Sequence, residues 1–316
     1  MSSDNRPFPQ LKGRPARQTA IDSMSADAGK VVGPRKKKAG KETASAKAGA
    51  SATVAVADTS ASAMDSPLYV NSVEKGMRVL MAFDGQQRQL SLSQIAALTG
   101  FDLSAAQRFT YTLTVLGYLN KDEESRKYEL SPKLLDFAYH YLSSSELVTR
   151  ATPYLQQLSQ ETEETTNLTI LDGTDVVFVQ RIVSRHVLNP TVVTGTRIPA
   201  YCTASGLALL STMSDEEVDA ILGASELRQH TPFTVVDPKK IKLRLATFRE
   251  QGYAHIKEEY FLGDVSTAAA VKDARGRGVG AVNVAVTKAR WGADSDESRY
   301  ANLVMSAARA ISVQRK

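Results

Sequence analysis

Cysteine is almost absent from this chain, and long apolar runs are missing altogether. The one cysteine among 316 residues, Cys202, excludes an intrachain disulfide and a cysteine-based metal cluster. We expect it to be a small buried hydrophobic side chain. Stretches of 18 or more uncharged apolar residues do not occur, and the N-terminus lacks a basic start followed by an apolar core. We therefore expect no membrane span, no secretory signal and a cytoplasmic location.

The part of the chain that is expected to fold has no net charge. The chain carries +5, but residues 1–66 hold 11 Lys and Arg against 6 Asp and Glu, which leaves the other residues balanced at 28 against 28. Residues 1–66 are rich in Ala, Ser, Thr, Gly and Lys, a composition that does not offset the entropy of ordering. We predict a disordered basic tail. Nonspecific contact with DNA phosphates, a solubilising extension and a translation start placed too far upstream remain open for its role.

Catalytic constellations are missing as well. The four histidines show no metal-ligand spacing, and Ser205 lies in Ala-Ser-Gly without the strand, nucleophile and helix elbow of hydrolases. The glycines of residues 276–280 lie in a predicted β-turn, whereas a phosphate loop opens a helix. Glu258 and Glu259 are adjacent on a predicted strand and therefore face opposite sides. We predict that the protein is not an enzyme and requires no cofactor and no metal.

Residues 67–130 begin with the periodicity of short helices. Residues 72–83 combine one apolar stripe with one charged face, which predicts a first helix. Residues 90–100 predict a second helix, with Ser93 as a candidate cap. Gly100 ends it, because glycine tolerates the positive φ of a sharp turn.

A third helix is predicted to present a polar face. Ser104 and Gln107 have the spacing of a capping box, and Asp102 is a competing cap. At 100° per residue, one face carries Ala106, Phe109, Leu113 and Leu116. The opposite face carries Ser104, Gln107, Arg108, Tyr111 and Val115. In the major groove of DNA, Arg pairs with guanine and Gln with adenine, so this second face suits base reading, with an ordinary amphipathic helix as the alternative.

The residues after the third helix favour a DNA-binding unit. Residues 117–132 place apolar positions on either side of a polar turn, which predicts a two-stranded hairpin. Three helices followed by a hairpin make a winged helix-turn-helix. Lys121, Arg126 and Lys127 would lie on this wing, where they suit phosphate contacts.

The remaining chain changes from helical to strand periodicity. Residues 131–150 predict a linker helix, which a lead-in helix follows. Alternation around Asp172 and Gly173 predicts a β-hairpin, and residues 188–194 predict a third strand. The later elements are a helix over 203–213, a capping box at Ser214 and Glu217, a helix from Asp237-Pro238 to Gly252, strands within 253–260, 264–273 and 279–287, and a helix over 294–313. Strands with helices on their faces predict a sensing domain with room for a pocket.

Several motifs in this order resemble the isocitrate lyase regulator (IclR) family of bacterial transcription factors, from about Val70 to the C-terminus. They include SVEKGMRVL, AAQRFTYTLTVLGYL, NLTILDGTDVVFVQRI, GTRIPAYCTASGLALL and GAVNVAVT. The segments LSPKLLDFAYHYLSS and GTRIPAY look closest to the subgroup that controls aromatic-acid catabolism through protocatechuate or 4-hydroxybenzoate. The resemblance implies an α+β protein with an N-terminal winged helix-turn-helix, a linker helix and a C-terminal GAF-like α/β effector domain, working as a dimer or dimer of dimers.

The resemblance also implies a division of labour along the chain. We assign 1–66 to the tail, 67–130 to the winged helix-turn-helix, 131–150 to the linker helix and 151–316 to the effector-binding and oligomerisation domain. The expected partners are a double-stranded DNA operator, a small carboxylate effector and a second copy of the chain. The expected function is ligand-responsive activation of a catabolic operon. The alternative is a DNA-binding regulator whose C-terminal domain only dimerises.

Effector contacts are carried over from the family position by position. They fall on Ala204, Ser205, Ile256, Ser266, Asn283 and Ala285, with Tyr201 and Thr203 as neighbours. Leu207 and Ala270 depart from the family pattern, which has a basic residue and a proline at these places. Arg197 either pairs with the effector's carboxylate or bonds to an acidic neighbour.

Overall fold

The computed structural model describes residues 65–85, 87–187, 189, 191–292 and 294–313. The predicted basic tail therefore lies outside the described residues, apart from its last two positions. Within the described part of the chain, no helix is both long enough and apolar enough to cross a membrane.

Three helices and a hairpin come first. The helices are α1 (Asn71–Met81), α2 (Leu92–Thr99) and α3 (Leu103–Val115). Strands β1 (Leu119–Lys121) and β2 (Tyr128–Leu130) pair antiparallel, as predicted. A core of their own holds these elements together, made by Val79, Phe83, Leu90, Ile95, Leu113, Leu119 and Tyr128.

Two predicted helix caps are wrong. Ser91, not Ser93, caps α2, because Ser91 is still extended and forms a reciprocal capping box with Gln94. Ser104 already lies inside α3, so Asp102 is the cap and its carboxylate accepts from the Ala105 N–H at 2.7 Å. Gly100 ends α2 at a φ of 71°, as the sequence predicted.

Two further helices lead into the second group of elements. Helix α4 (Leu135–Ser144) follows a 3-10 turn, and α5 (Glu146–Thr162) begins after Ser145, whose hydroxyl accepts from the Val148 N–H. Helix α4 buries none of its residues, whereas α5 packs an apolar stripe against the sheet that follows.

The second group is built on a six-stranded antiparallel sheet with the strand order β5-β4-β3-β8-β7-β6. Its strands are β3 (Thr165–Asp172), β4 (Asp175–Ile182), β5 (Arg197–Pro199), β6 (Ala254–Lys257), β7 (Asp264–Lys272) and β8 (Gly278–Thr287). The first and last strands of the chain's sheet segment, β3 and β8, pair at its centre, so distant parts of the sequence lie side by side.

The strand predicted over Leu188–Thr194 is wrong for the described residues of that segment. Its amides are used locally, because the Val192 N–H donates to the Asn189 carbonyl and the Val193 N–H donates to the Thr196 hydroxyl. The edge strand β5 forms a few residues later and pairs with β4.

Helices cover both faces of the sheet. On one face lie α6 (Ala204–Leu210), α7 (Asp215–Ala224) and α8 (Pro238–Gln251), and on the other lie α5 and α9 (Asp294–Ile311). Each layer has its own apolar core against the sheet. This α+β arrangement matches the expected fold class, and Cys202 is a free, fully buried side chain within it.

Candidate functional site

The outer face of α3 is a polar surface free of packing. All five residues predicted on it are exposed: Ser104, Gln107, Arg108, Tyr111 and Val115. The inner face buries Ala106, Thr110 and Leu113, which anchor the helix to α1 and α2. Leu116, predicted on that inner face, is half exposed because it is the C-cap residue and lies beyond the packed turns.

Arg108 has no ion-pair partner among the described residues, so its guanidinium projects from this surface uncommitted. Arg78 illustrates the contrast, because it bonds to Glu74 on its own helix. A free guanidinium beside an exposed Gln and Ser is the chemistry that direct reading of base edges requires.

The hairpin of residues 119–130 carries three cations and four acids. Lys121 lies 5.7 Å from the centre of the Tyr128 ring, and Arg126 is 4.0 Å from Glu123 with both side chains exposed. Arg126 has a φ of 60°, which the turn holds by a bond from its N–H to the Asp122 carbonyl. Hydrogen bonds from Ser125 keep the pKa of Asp122 below its ordinary value, so this acid stays ionised at the wing.

A partly open cavity of about 60 Å³ lies between α6 and the sheet. Seven of the eight positions indicated for the effector line it: Thr203, Ala204, Ser205, Ile256, Ser266, Asn283 and Ala285. Cross-strand pairs explain why they meet, since Ser266 pairs with Ile256 on one side and with Ala285 on the other. The rim also carries the aromatic rings of Phe178, Tyr260 and Phe261.

Tyr201 is not among the residues that line the cavity. It is fully buried in the core beneath the 3-10 turn 200–202, where its hydroxyl donates to the Arg228 carbonyl at 2.6 Å. This burial raises the pKa of Tyr201 to about 12. Leu207, one of the departures from the family pattern, is fully buried in the same core.

The hydroxyls at the start of α6 differ in availability. Thr203 is the N-cap, since its oxygen accepts from the Gly206 N–H and its proton goes to the Pro199 carbonyl. That hydroxyl is committed to the fold. The Ser205 hydroxyl has no hydrogen-bond partner among the described residues and borders the cavity.

A relay of hydrogen bonds crosses four strands under the cavity. Arg181 donates to Asn167 at 3.0 Å, Asn167 donates to Asn283 at 3.0 Å, and Asn283 donates to Ser266 at 2.9 Å. The Ser266 hydroxyl ends the relay on the Val284 carbonyl at 3.4 Å. Arg181, Asn167, Asn283 and Ser266 all line the cavity, whereas Val284 does not. The cavity floor is therefore a row of polar side chains joined by hydrogen bonds.

Sequence reasoning missed most of the cavity lining, including its two charged side chains, Arg181 and Asp264, and the amide of Asn167. Asn167 is a buried amide beside Leu168 in β3, and Arg181 follows the apolar run 176–179 of β4, so a polar side chain next to apolar strand residues was the available signal. Asp264 lines the cavity with a half-buried side chain, and loss of solvation raises its pKa to about 7 against the opposing effect of Arg181.

Arg197 bonds to acidic neighbours and does not face the position expected for the effector's carboxylate. Its guanidinium donates to Asp172 at 2.7 Å and to Asp175 at 3.3 Å, at the exposed edge of the sheet. It does not line the cavity.

Comparison with known proteins places both groups of elements in one kind of protein. Residues 72–123 match the IclR helix-turn-helix domain, and residues 139–313 match the domain described as bacterial transcriptional regulator IclR C-terminal.

Similar whole proteins agree with these matches. The chain is 32% identical to the Pca regulon regulatory protein of Pseudomonas putida, over 78% of this chain and 84% of that protein. It is 32% identical to the p-hydroxybenzoate hydroxylase transcriptional activator of Acinetobacter baylyi, over 68% of this chain and 80% of that protein. A solved structure from Rhodococcus sp. RHA1 is 33% identical, with a TM-score of 0.68, and covers 77% of this chain and 97% of its own.

Proposed function

Because the chain belongs to the IclR family of bacterial transcriptional regulators, we propose that it is a ligand-responsive, DNA-binding activator of a catabolic operon. The helix-turn-helix unit of residues 67–130 binds the operator, residues 131–150 transmit the signal, and residues 151–316 bind the effector and oligomerise. The tail of residues 1–66 adds nonspecific phosphate contacts.

Base reading is assigned to the outer face of α3. Ser104, Gln107, Arg108 and Tyr111 are exposed together on a helix of 13 residues, which fits the major groove. Lys121, Arg126 and Lys127 contact phosphates from the wing. Two copies of the chain bind two half-sites, and the spacing of their wings changes when the effector binds.

The effector is proposed to be a small carboxylate, and an aromatic one by analogy with the relatives. The cavity carries this proposal, because it combines a polar floor, a free Ser205 hydroxyl and aromatic rims. The proposal of activation, as opposed to repression, is made by analogy with the Acinetobacter relative, which is named an activator. At about 60 Å³ the cavity is smaller than the ~150 Å³ void that holds benzene in an engineered core. An aromatic acid therefore requires the lining to move outward on binding.

A screen of small carboxylates tests the proposal. The melting temperature of the full-length protein is measured with benzoate, 4-hydroxybenzoate, protocatechuate and short aliphatic acids, alongside its affinity for the promoter DNA next to its own gene. We expect at least one acid to raise the melting temperature and to change the DNA affinity.

The small cavity favours one competing function. A C-terminal domain that only dimerises would leave both the melting temperature and the DNA affinity unchanged by every acid. That outcome would replace sensing with constitutive DNA binding.

A further inference from the structure

The cavity contains one cation and one acid from opposite parts of the sheet. Arg181 comes from β4 and Asp264 from β7, and they are the charged side chains among the described residues that line the space. Each affects the other's pKa, but no ion pair joins them in the described part of the chain. Both charges therefore border the same cavity.

Arg181 has an unused donor. One terminal nitrogen donates to Asn167 and the other to the Asn189 carbonyl, whereas the Nε atom is buried and has no partner among the described residues. Buried donors are normally satisfied, and a guanidinium pairs best with a carboxylate.

The relay fixes what the cavity floor offers to a ligand. Arginine only donates, so Asn167 must turn its oxygen toward Arg181 and its NH₂ toward Asn283. Asn283 must then accept from Asn167 and donate to Ser266. Each amide oxygen of the row accepts one of these bonds, whereas each NH₂ group keeps a second N–H. The floor therefore presents donors, which suit an anion.

Asp264 lies on the other side of the same space. Its carboxyl makes no hydrogen bond with the described residues, and the groups that face it are Arg181 from β4, Thr287 from β8, and Tyr260 and Phe261 from the loop before β7. Among these, Arg181 is the one positive charge. A second negative charge on a ligand would meet this carboxyl without compensation.

We propose that Arg181 anchors the carboxylate of the effector and that Asp264 excludes a second negative charge, so that the cavity selects monocarboxylates over dicarboxylates. The proposal rests on the sensing function proposed above. It assigns the anion contact to a residue outside the positions inferred from the family.

Titration calorimetry with two matched pairs of probes tests the proposal. 4-Hydroxybenzoate is compared with terephthalate, and propionate with malonate, on the full-length protein. We expect wild type to prefer each monocarboxylate by about tenfold or more, since an unpaired buried charge is strongly disfavoured. Arg181→Gln is expected to lose about tenfold or more in monocarboxylate affinity, and Arg181→Lys part of that. Arg197→Gln, which removes an arginine outside the cavity, is the control and should stay within about twofold.

Asp264→Asn removes the negative charge but keeps the shape of the side chain. It therefore tests the exclusion of a second negative charge with little expected effect on folding. We expect the variant to bind terephthalate or malonate about tenfold more tightly than wild type does. Monocarboxylate affinity of wild type is expected to fall as the pH rises from 6 to 8, since Asp264 ionises in this range, and to stay flat in the variant.

The outcomes distinguish the two proposals. If no probe binds wild type, the sensing function fails and this inference fails with it. If a probe binds but Arg181→Gln binds it equally well, or Asp264→Asn leaves both the selectivity and the pH profile unchanged, sensing stands and this inference is overturned. Circular dichroism of each variant identifies a loss of fold, and Asp264→Asn tests the exclusion of a second negative charge independently of Arg181.

Discussion

Arg108 is the residue on which sequence-specific DNA binding is expected to depend most. Its guanidinium is exposed and has no ion-pair partner among the described residues, so a guanine contact would not have to break an existing bond. We expect Arg108→Ala to weaken operator binding by about 1 to 3 kcal/mol and to leave nonspecific binding almost unchanged. Fluorescence anisotropy with operator and scrambled duplexes at one salt concentration measures both.

Arg275→Ala supplies the control, because Arg275 is an exposed arginine in the turn between β7 and β8. It has the same charge change and should leave both affinities in place. Equal losses on operator and scrambled DNA for Arg108→Ala would show a phosphate contact instead of base reading.

Asp264 is expected to destabilise the fold at neutral and alkaline pH. Its pKa is about 7 in the folded protein and near 3.8 when unfolded, so the folded state binds the proton more tightly between these values. The free energy of unfolding therefore falls as the pH rises through this window, by as much as about 4 kcal/mol at ~1.4 kcal/mol per pKa unit.

Asp264→Asn should remove this penalty. We expect the variant to exceed wild type in urea-measured stability at pH 8 and to equal it at about pH 3 and below, where the wild-type carboxyl is mostly protonated in both states. A stability difference that does not depend on pH would mean that Asp264 is not buried as a titrating acid.

At the scale of elements, α6 depends on a close approach that only glycine permits. A Cβ on Gly206 would overlap the backbone of Ala200 in the preceding 3-10 turn, so a side chain would push α6, which carries the cavity residues Ala204 and Ser205, away from that turn. We expect Gly206→Ala to destabilise the protein by about 1 to 3 kcal/mol, as overpacking of a core does. It should weaken effector binding as well.

Gly223→Ala is the matched control in α7, where an added methyl group meets nothing within 4 Å. It should stabilise by about 0.5 to 1 kcal/mol, because alanine loses less backbone freedom in a helix. Chemical denaturation of both variants checks the pair, and a neutral Gly206→Ala would show that the backbone of Ala200 moves freely.

Helix and strand boundaries were predictable from the sequence where a single local signal determined them. The capping box at Ser214 and Glu217 and the start of α8 at Asp237-Pro238 both formed as predicted. Ser93 and the strand over Leu188–Thr194 failed because competing local hydrogen bonds, from Ser91 and from the Asn189 and Thr196 turns, satisfied the same backbone groups.

The cavity was only partly predictable, for a reason of topology. Alternation along one strand shows which residues share a face, but the order of strands in the sheet is not written in any single strand. Asn167 and Asn283 are 116 positions apart and became neighbours only because β3 pairs with β8. The relay, and Arg181 at its head, therefore required the structure.

At the scale of the whole molecule, charge and base reading occupy different parts of the chain. Residues 67–130 contain 7 Lys and Arg against 7 Asp and Glu, so the helix-turn-helix unit is formally neutral. Wing acids such as Glu123 further reduce the attraction of Arg126 for phosphate. The excess of five positive charges belongs to residues 1–66.

Removal of residues 1–64 is therefore expected to change affinity more than specificity. The slope of log K against log salt becomes shallower by about 0.9 for every phosphate that the protein stops neutralising. The shortened chain should accordingly bind scrambled DNA more weakly and show a smaller salt dependence. Its preference for operator over scrambled DNA should be kept or increased, because α3 remains intact.

A full-length variant with Lys36, Lys37 and Lys38 all replaced by Gln separates the effect of charge from that of length. Its affinity for scrambled DNA and its salt dependence should change in the same direction. Identical salt slopes for all three proteins would show that the tail makes no phosphate contact, and the wing with dimer avidity would then carry the electrostatic attraction alone.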